Sequence, residues 1–403
     1  MNAMRSMIVM TAALLSTAVH AQYTDGIVKI GILTDMSGVY SDFGGPGSVA
    51  AAKLAVEDFG AAAKGIKVEI VVGDHQNKPD VGSNIASTWF DVDKVDVIVD
   101  VPNSGVALAV SEVARQKNKL FLVSGAAASD LTGAKCNANT IHWTYDTWAL
   151  ANGTGKAVVK TGGDTWFFLT ADYAFGYALE RDTSAVVEAN GGKVLGKVRA
   201  PLNTNDFSSF LLQAQASKAK VIGLANAGGD TINSIKQASE FGLVRGGQSL
   251  AGLLVFATDV AALGLPTAQG LILTEAWYWD MNDANRAWTK RWQALRPGKY
   301  PSMVQAGVYS AVLHYLKAVE ALKSDADGKA VAAKMKELPT DDPLFGKGVI
   351  RPDGRKVHDL YLFEVKKPAE SKHPGDFYKI RATIPAAEAF RPLKEGGCPL
   401  VQG

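Results

Sequence analysis

Beyond the first two dozen residues, short apolar runs rich in β-branched side chains alternate with longer stretches whose apolar positions recur every three or four residues. The runs at 28–33, 68–72, 95–99 and 120–123 are almost continuously hydrophobic, as strands covered on both faces must be. Between them, 49–59, 80–90 and 106–115 carry helical spacing. Strand and helix therefore alternate as in a parallel sheet sandwiched by helices. Over 132–148 the regularity lapses at Gly133, Cys136, Asn137 and Asn139. It then resumes, with strands at 166–169, 193–198, 221–224 and 253–256 and helices at 178–189, 207–215 and 231–241. Two doubly wound parallel-sheet lobes of the α/β class are predicted.

The remaining chain reads as a strand at 271–274, helices at 283–295, 303–322 and 329–337, and a closing hairpin over 348–365. It has too few strands for a sheet of its own, so it is expected to return to the first lobe. This divides the chain into 22–143 with 274–348 as lobe 1 and 144–273 with 349–403 as lobe 2. Three crossings would form a hinge, with a ligand cleft between the lobes.

Arg5 precedes an apolar run from Met7 to Val19 that ends in Val19-His20-Ala21, the pattern of a secretory signal peptide over 1–21. The run is shorter than the roughly 20 residues a membrane helix needs. No lipobox cysteine follows, so a free periplasmic protein, and a monomer, is expected. In an oxidising compartment the two cysteines, Cys136 and Cys398, can form one disulfide; two separate buried thiols are the alternative.

Charge and motifs narrow the function. The net charge is +2, no lysine and arginine block suggests nucleic acid, and no second apolar stretch reaches membrane length. Gly45-Pro46-Gly47-Ser48-Val49-Ala50 fits a loose dinucleotide fingerprint, but a loop of about ten residues separates it from its strand. Gly155-Lys156 lacks the rest of a phosphate-binding loop. His75, His142, His314, His358 and His373 are scattered singly, without metal-ligand spacing. The sequence thus predicts no cofactor, no metal and no enzyme.

In open parallel sheets, ligands bind beyond the carboxyl ends of the strands. Here the turns Asp100-Val101-Pro102-Asn103-Ser104-Gly105 and Ser124-Gly125-Ala126-Ala127-Ala128-Ser129 offer hydroxyls and backbone N–H groups, the first backed by a helix N-terminus. Such turns suit a carboxylate. Ser104 and Ser129 could equally be helix caps. Tyr40, Phe43, Tyr173, Phe175, Trp277, Tyr278 and Trp279 fall in the other strand-end turns, where they would form apolar walls or simply pack in the core. In an extended segment Trp277 and Trp279 would share a face.

Several segments, in order along the chain, carry a family resemblance: Lys29-Ile30-Gly31-Ile32 leading into Met36-Ser37-Gly38, Phe43-Gly44, Ala55-Val56-Glu57-Asp58 and Pro102-Asn103-Ser104, then Val123-Ser124-Gly125-Ala126, Tyr173-Ala174-Phe175-Gly176 and Phe207-Ser208-Ser209-Phe210. With them the chain resembles the branched-chain amino acid (Leu/Ile/Val) binding type of periplasmic solute-binding protein, the type I fold, over essentially its whole length. The resemblance implies capture of a small molecule by lobe closure and delivery to the permease subunits of an ABC transporter; a sensor domain is the alternative use of this fold. It also implies that Phe43 touches the ligand's apolar end, that Ser104 bonds its carboxylate, that Ala126 and Ala127 offer backbone groups, and that Phe175 stands where the family often has a tyrosine.

The departures bear on the ligand. The loop 124–129 has alanines where amino acid binders usually carry a threonine, and Asn226-Ala227-Gly228-Gly229-Asp230 stands where they often present a tyrosine. Asp259 is only a nearby candidate for the usual ammonium-binding glutamate. With Trp277-Tyr278-Trp279-Asp280, these features resemble the subgroup that binds aromatic acids such as benzoate and cinnamate derivatives; a branched-chain or other amino acid, or an amide, is the alternative ligand for the same transporter type. The expected ligand-binding set is Phe43, Asn103, Ser104, Ser124, Ala126, Ala127, Tyr173, Phe175, Asn226, Asp259 and Trp277.

Overall fold

The computed structural model describes residues 23–401. The signal peptide expected over 1–21 lies outside the described residues. A first sheet takes strands β1 (Val28–Thr34), β2 (Val68–Asp74), β3 (Val97–Asp100), β4 (Leu120–Val123) and β5 (Thr140–His142) in the order β2-β1-β3-β4-β5, all parallel. Helices α1 (Gly45–Phe59), α2 (Pro79–Asp91) and α3 (Ser104–Lys117) make the crossovers between them. The apolar runs are strands because both faces are covered: Ile30, Ile32, Val97, Val99 and Leu122 are inaccessible to solvent.

The chain then leaves this sheet through a continuous helical segment, α4 (Thr147–Leu150), a π-helical turn (Ala151–Gly155) and α5 (Lys156–Lys160). A second parallel sheet follows, ordered β7-β6-β8-β9, from β6 (Thr165–Ala171), β7 (Lys193–Ala200), β8 (Val221–Ala225) and β9 (Ser249–Gly252). Its helices are α6 (Ala174–Ala189), α7 (Ser208–Ala216), α8 (Gly229–Glu240), α9 (Ala257–Leu263) and α10 (Leu265–Ala268). The fourth strand lies just before the expected 253–256. Leu253-Leu254-Val255-Phe256 is buried but unpaired; its apolarity reports burial at the inter-lobe cleft, not strand pairing.

After β10 (Ile272–Glu275) the chain returns to the first sheet with α11 (Asp283–Leu295), α12 (Met303–Leu322) and α13 (Gly328–Glu337). Helix α12 is buried along most of its length and packs on α1. A Cβ on Gly47 would lie 2.1 Å from Gln305 Nε2 and 2.9 Å from the Trp292 ring, so a larger residue there would have to displace the Gln305 amide. The hairpin expected over 348–365 divides. Strands β11 (Thr340–Asp342), β12 (Gly346–Ile350) and β13 (Lys356–Val357) form one small antiparallel sheet, and Arg355 bridges to His142 of the first sheet. Strand β14 (Leu360–Val365) instead pairs with β10 and with β15 (Tyr378–Ile384). Cys136 and Cys398 are joined, with Cα atoms 5.5 Å apart and a sequence separation of 262. The bond pins the C-terminal tail to the segment after β4. Among the described residues, no helix is long and apolar enough to cross a membrane.

Candidate functional site

The turns that follow the carboxyl ends of both parallel sheets meet in one enclosed cleft. From the first lobe come Tyr40 and Phe43 after β1, Pro102 after β3, and Gly125 and Ala127 after β4. From the second come Tyr173 and Phe175 after β6, Ala227 after β8 and Leu254 after β9, while Tyr145 stands on the first crossing. This is where a doubly wound sheet places a ligand. The lobes are closed. The space between these side chains is about 10 Å³, close to the room one water needs.

Aromatic contacts make the closure. Phe43 stacks on Phe256 of the second lobe with ring centroids 4.3 Å apart, and Tyr145 meets Phe256 edge-on at 6.2 Å. The Tyr40 and Tyr173 hydroxyls bond each other across the cleft at 2.5 Å. Burial holds both phenols above their ordinary range, so both remain protonated. Close to them, Gly229 N donates to Val39 O at 3.1 Å. Its neighbour Gly228 has φ 56°, and a Cβ there would lie 2.4 Å from Val39 O. Only glycine permits that approach.

A second set of contacts locks the rim. Asp182 of α6 accepts from Ser129 Oγ at 2.7 Å and Thr147 Oγ1 at 2.6 Å, and Arg181 pairs with Asp130 at 3.1 Å. The Ser129 hydroxyl thus reaches across to the other lobe.

Beneath the cleft floor, β3 ends in a strained turn. Asp100 and Val101 take φ 86° and 54°, a conformation that costs non-glycine residues about 1–3 kcal/mol. The turn is held by Val101 N donating to Leu33 O at 2.9 Å and by Ser124 N and Gly125 N donating to Asp100 O at 3.3 Å. The Asp100 carboxyl accepts from Thr34 Oγ1 at 2.8 Å, and burial pushes its pKa up to about 7.

Of the expected ligand-binding residues, Phe43, Ala127, Tyr173 and Phe175 come together in the cleft lining. Ser104 lies just behind: its Oγ accepts from Ala127 N at 3.3 Å and Ala128 N at 3.2 Å, tying the two carboxylate-type turns together. The other polar candidates serve their own lobes. Asn103 caps α3, accepting from Gly105 N at 2.9 Å and Val106 N at 3.1 Å. Ser124 donates to Val304 O at 2.7 Å and bonds Thr144 at 2.9 Å, joining β4 to the start of α12. The Ala126 carbonyl is taken by His142 Nε2 at 2.8 Å, and the alanine packs into the first-lobe core. Asn226 bonds Thr231 and Ser234 of α8 at 2.7 and 3.2 Å. Asp259 folds back on Phe256 N at 3.0 Å at the start of α9, and burial pushes its pKa up to about 7.

Trp277 lies apart from the cleft. After β10 the chain bends instead of staying extended, so Trp277 packs edge-on against Trp288 at 5.6 Å and Trp279 stacks on Tyr300 at 5.0 Å. The cleft residues outside the expected set are Tyr40, Pro102, Gly125, Tyr145, Ala227 and Leu254, with Phe256 behind them. Tyr40 shares a turn with Phe43. Tyr145 carried no comparable signal, since it sits on the irregular crossing. Asp280, His373 and Asp376 bring ligand-type atoms within 4.8 Å of one another. Their carboxylates are already engaged, by Arg286 for Asp280 and by Lys366 and Lys372 N for Asp376.

Comparison with known proteins agrees with this architecture. Residues 27–372 match the family model described as periplasmic binding protein. A periplasmic binding protein from Burkholderia mallei is 53% identical, with a TM-score of 0.91, covering 94% of this chain and 100% of its own. A branched chain amino acid ABC transporter periplasmic ligand-binding protein from Burkholderia xenovorans LB400 is 43% identical, with a TM-score of 0.81, covering 93% and 99%. An ABC transporter solute-binding protein from R. palustris, solved in complex with benzoate, shares the fold at 23% identity and a TM-score of 0.80, covering 90% and 97%. The chain belongs to the periplasmic binding protein family. It is a solute-binding protein of the ABC-transporter type, with the two-lobed type I fold.

Proposed function

We propose that this protein captures a small aromatic carboxylate of the benzoate or cinnamate kind and presents it to the permease of an ABC importer. One observation carries the reading: the cleft lining holds five aromatic side chains and no charged one. An α-amino acid needs a buried partner for its ammonium group. An aromatic acid needs only apolar walls and donors for its carboxylate.

Opening about the hinge would part the Tyr40–Tyr173 hydroxyls and separate Phe43 from Phe256. The aromatic ring then takes the place between those two phenylalanines, and closure stacks it on both sides. Its carboxylate takes the Ala127 and Ala128 N–H groups and the Ser104 hydroxyl. In the closed form the Ser104 bonds to these N–H groups are long, at 3.3 and 3.2 Å. A carboxylate is the stronger acceptor and draws them over. The benzoate-bound relative of the same fold supports the reading. Export follows from the leader, with cleavage expected after Ala21 and a free mature chain in the periplasm.

The 43% identical relative named for branched-chain amino acids supports a second reading, in which the same cleft takes an aliphatic amino acid. A thermal-shift panel on ligand-stripped protein separates the two. Benzoate, 4-hydroxybenzoate or cinnamate should raise the melting temperature by several degrees while leucine does not. Stabilisation by leucine but by no aromatic acid contradicts the proposal.

A further inference from the structure

Two residues of the rim contacts, Ser129 and Asp130, stand on one short helical turn, Ser129–Thr132, in the stretch between β4 and β5. The front of this turn is committed to the second lobe, Ser129 Oγ donating to Asp182 and Asp130 pairing with Arg181. Its back is held by the C-terminal tail. The tail leaves β15 on the second lobe, where Glu388 O accepts from Asn152 Nδ2 of the π-helical turn at 2.9 Å. By Arg391 it has reached the first lobe. Arg391 O accepts from Arg351 Nη1 at 2.8 Å, and Arg391 Nη2 donates to Ser129 O at 3.1 Å.

Beyond Arg391 the tail has few contacts to hold it. Residues 392–397 are exposed or half-buried, and their backbone hydrogen bonding among the described residues is local, Glu395 N donating to Pro392 O at 3.0 Å. The far end is nevertheless fixed, because Cys398, buried at 4% exposure, is joined to Cys136. Between these anchors the tail lies directly on the rim segment: a Cβ on Gly133 would come within 2.9 Å of Gly396 O and 2.8 Å of Arg391 Nη2. We infer that the tail is a strap from the second lobe to the first that holds the closed form, with Arg391 as positioning residue for the Ser129–Asp182 contact and the disulfide as its anchor. A segment with few buried contacts opens locally at small free-energy cost. A covalent bond at its end removes most of those open states. With Cys398 free, the chain beyond Pro392 loses its tie to the rim, Arg391 leaves Ser129 O, and the serine hydroxyl is no longer held toward Asp182. The strap thus slows opening of the lobes, and with it the release of whatever the cleft holds. The inference is independent of which ligand that is.

The test is hydrogen exchange on the ligand-free, full exported chain, with solution scattering as a second readout. Cys136→Ser combined with Cys398→Ser cuts the anchor. Arg391→Met keeps the disulfide but removes the contact to Ser129, and so serves even if the cysteine variant does not fold. Asp182→Asn weakens the latch itself. The strap predicts that exchange in α6 around Arg181 and Asp182 rises about tenfold in all three, with a larger scattering radius, and that adding Asp182→Asn to either of the others raises it no further. Faster exchange confined to 392–398 and 133–137, with α6 and the radius as in wild type, would make the disulfide a local clamp and overturn the inference. Additive effects in the combined variants, or an equal rise across the core strands β1 and β4, would overturn it as well.

Discussion

The strand-end turns of the two lobes carry two kinds of side chain, and the structure uses them in opposite ways. Asn103, Ser124, Asn226 and Asp259 each turn back on their own lobe, capping α3, tying β4 to α12, and bracing the starts of α8 and α9. Tyr40, Phe43, Tyr145, Tyr173 and Phe175 face the other way, into the space between the lobes. A short polar side chain beside a helix start finds an unpaired N–H within two or three residues, at almost no entropic cost. A ring has no such local partner and must find its contact across the cleft. These four polar groups therefore keep each lobe rigid and the rings line the space between, while Ser129, which bonds Asp182 across the rim at 2.7 Å, is the polar turn residue that works between the lobes.

The contrast can be broken at single positions. Phe43→Ala should have the largest effect, costing the closed form about 3 kcal/mol. That shifts an opening equilibrium by about a hundredfold, read as an expanded radius in solution scattering and a loss of aromatic-acid affinity. Ser124→Ala should do the reverse. It should lower folding stability by about 2 kcal/mol in a denaturant titration while leaving ligand affinity within a factor of about two. Tyr40→Phe removes only the hydroxyl bridge to Tyr173 and should cost closure about 1 kcal/mol, with folding stability of the lobes unchanged. An equal loss of folding stability in Tyr40→Phe and Ser124→Ala would erase the distinction.

The smallest effect concerns pH. Burial raises the folded pKa of Asp100 to about 7 from the ordinary carboxylate value of 3.8. The fold thus retains a proton that the unfolded chain releases, and this contribution is full below about pH 4 and lost as pH rises to about 7. Buried His142 and His358, whose pKa values are lowered by desolvation, act in the opposite sense. They are common to wild type and Asp100→Asn, so the difference in melting temperature between the two isolates Asp100. The melting temperature of wild type should therefore fall relative to that of Asp100→Asn as pH rises from 4 to 7.

The same contrast explains what could be read from the sequence. The parallel strands were legible because burial on both faces leaves an unmistakable apolar run, as at β1, β3 and β4. Strand β9 was displaced by a few residues because Leu253–Phe256 is more apolar than the paired Ser249–Gly252, although it is only buried. Strand β5 was missed because Thr140 and His142 carry no apolar signal. At the site, Phe43, Tyr173 and Phe175 were legible as rings in strand-end turns. Trp277 is not, because the backbone bends after β10 toward α11, and nothing in the sequence signals that bend. The polar candidates were ambiguous for a reason of chemistry: a serine or asparagine that caps a helix and one that awaits a ligand occupy the same turn and look alike in one sequence.

The proposed function requires the cleft to select an aromatic carboxylate over an amino acid. Isothermal titration of unfolded and refolded, ligand-free protein with benzoate and, separately, with leucine tests it most directly. Benzoate should give a saturable one-to-one heat that is abolished in Phe43→Ala, and leucine none. Saturable binding of leucine with no heat from benzoate, 4-hydroxybenzoate or cinnamate would contradict it.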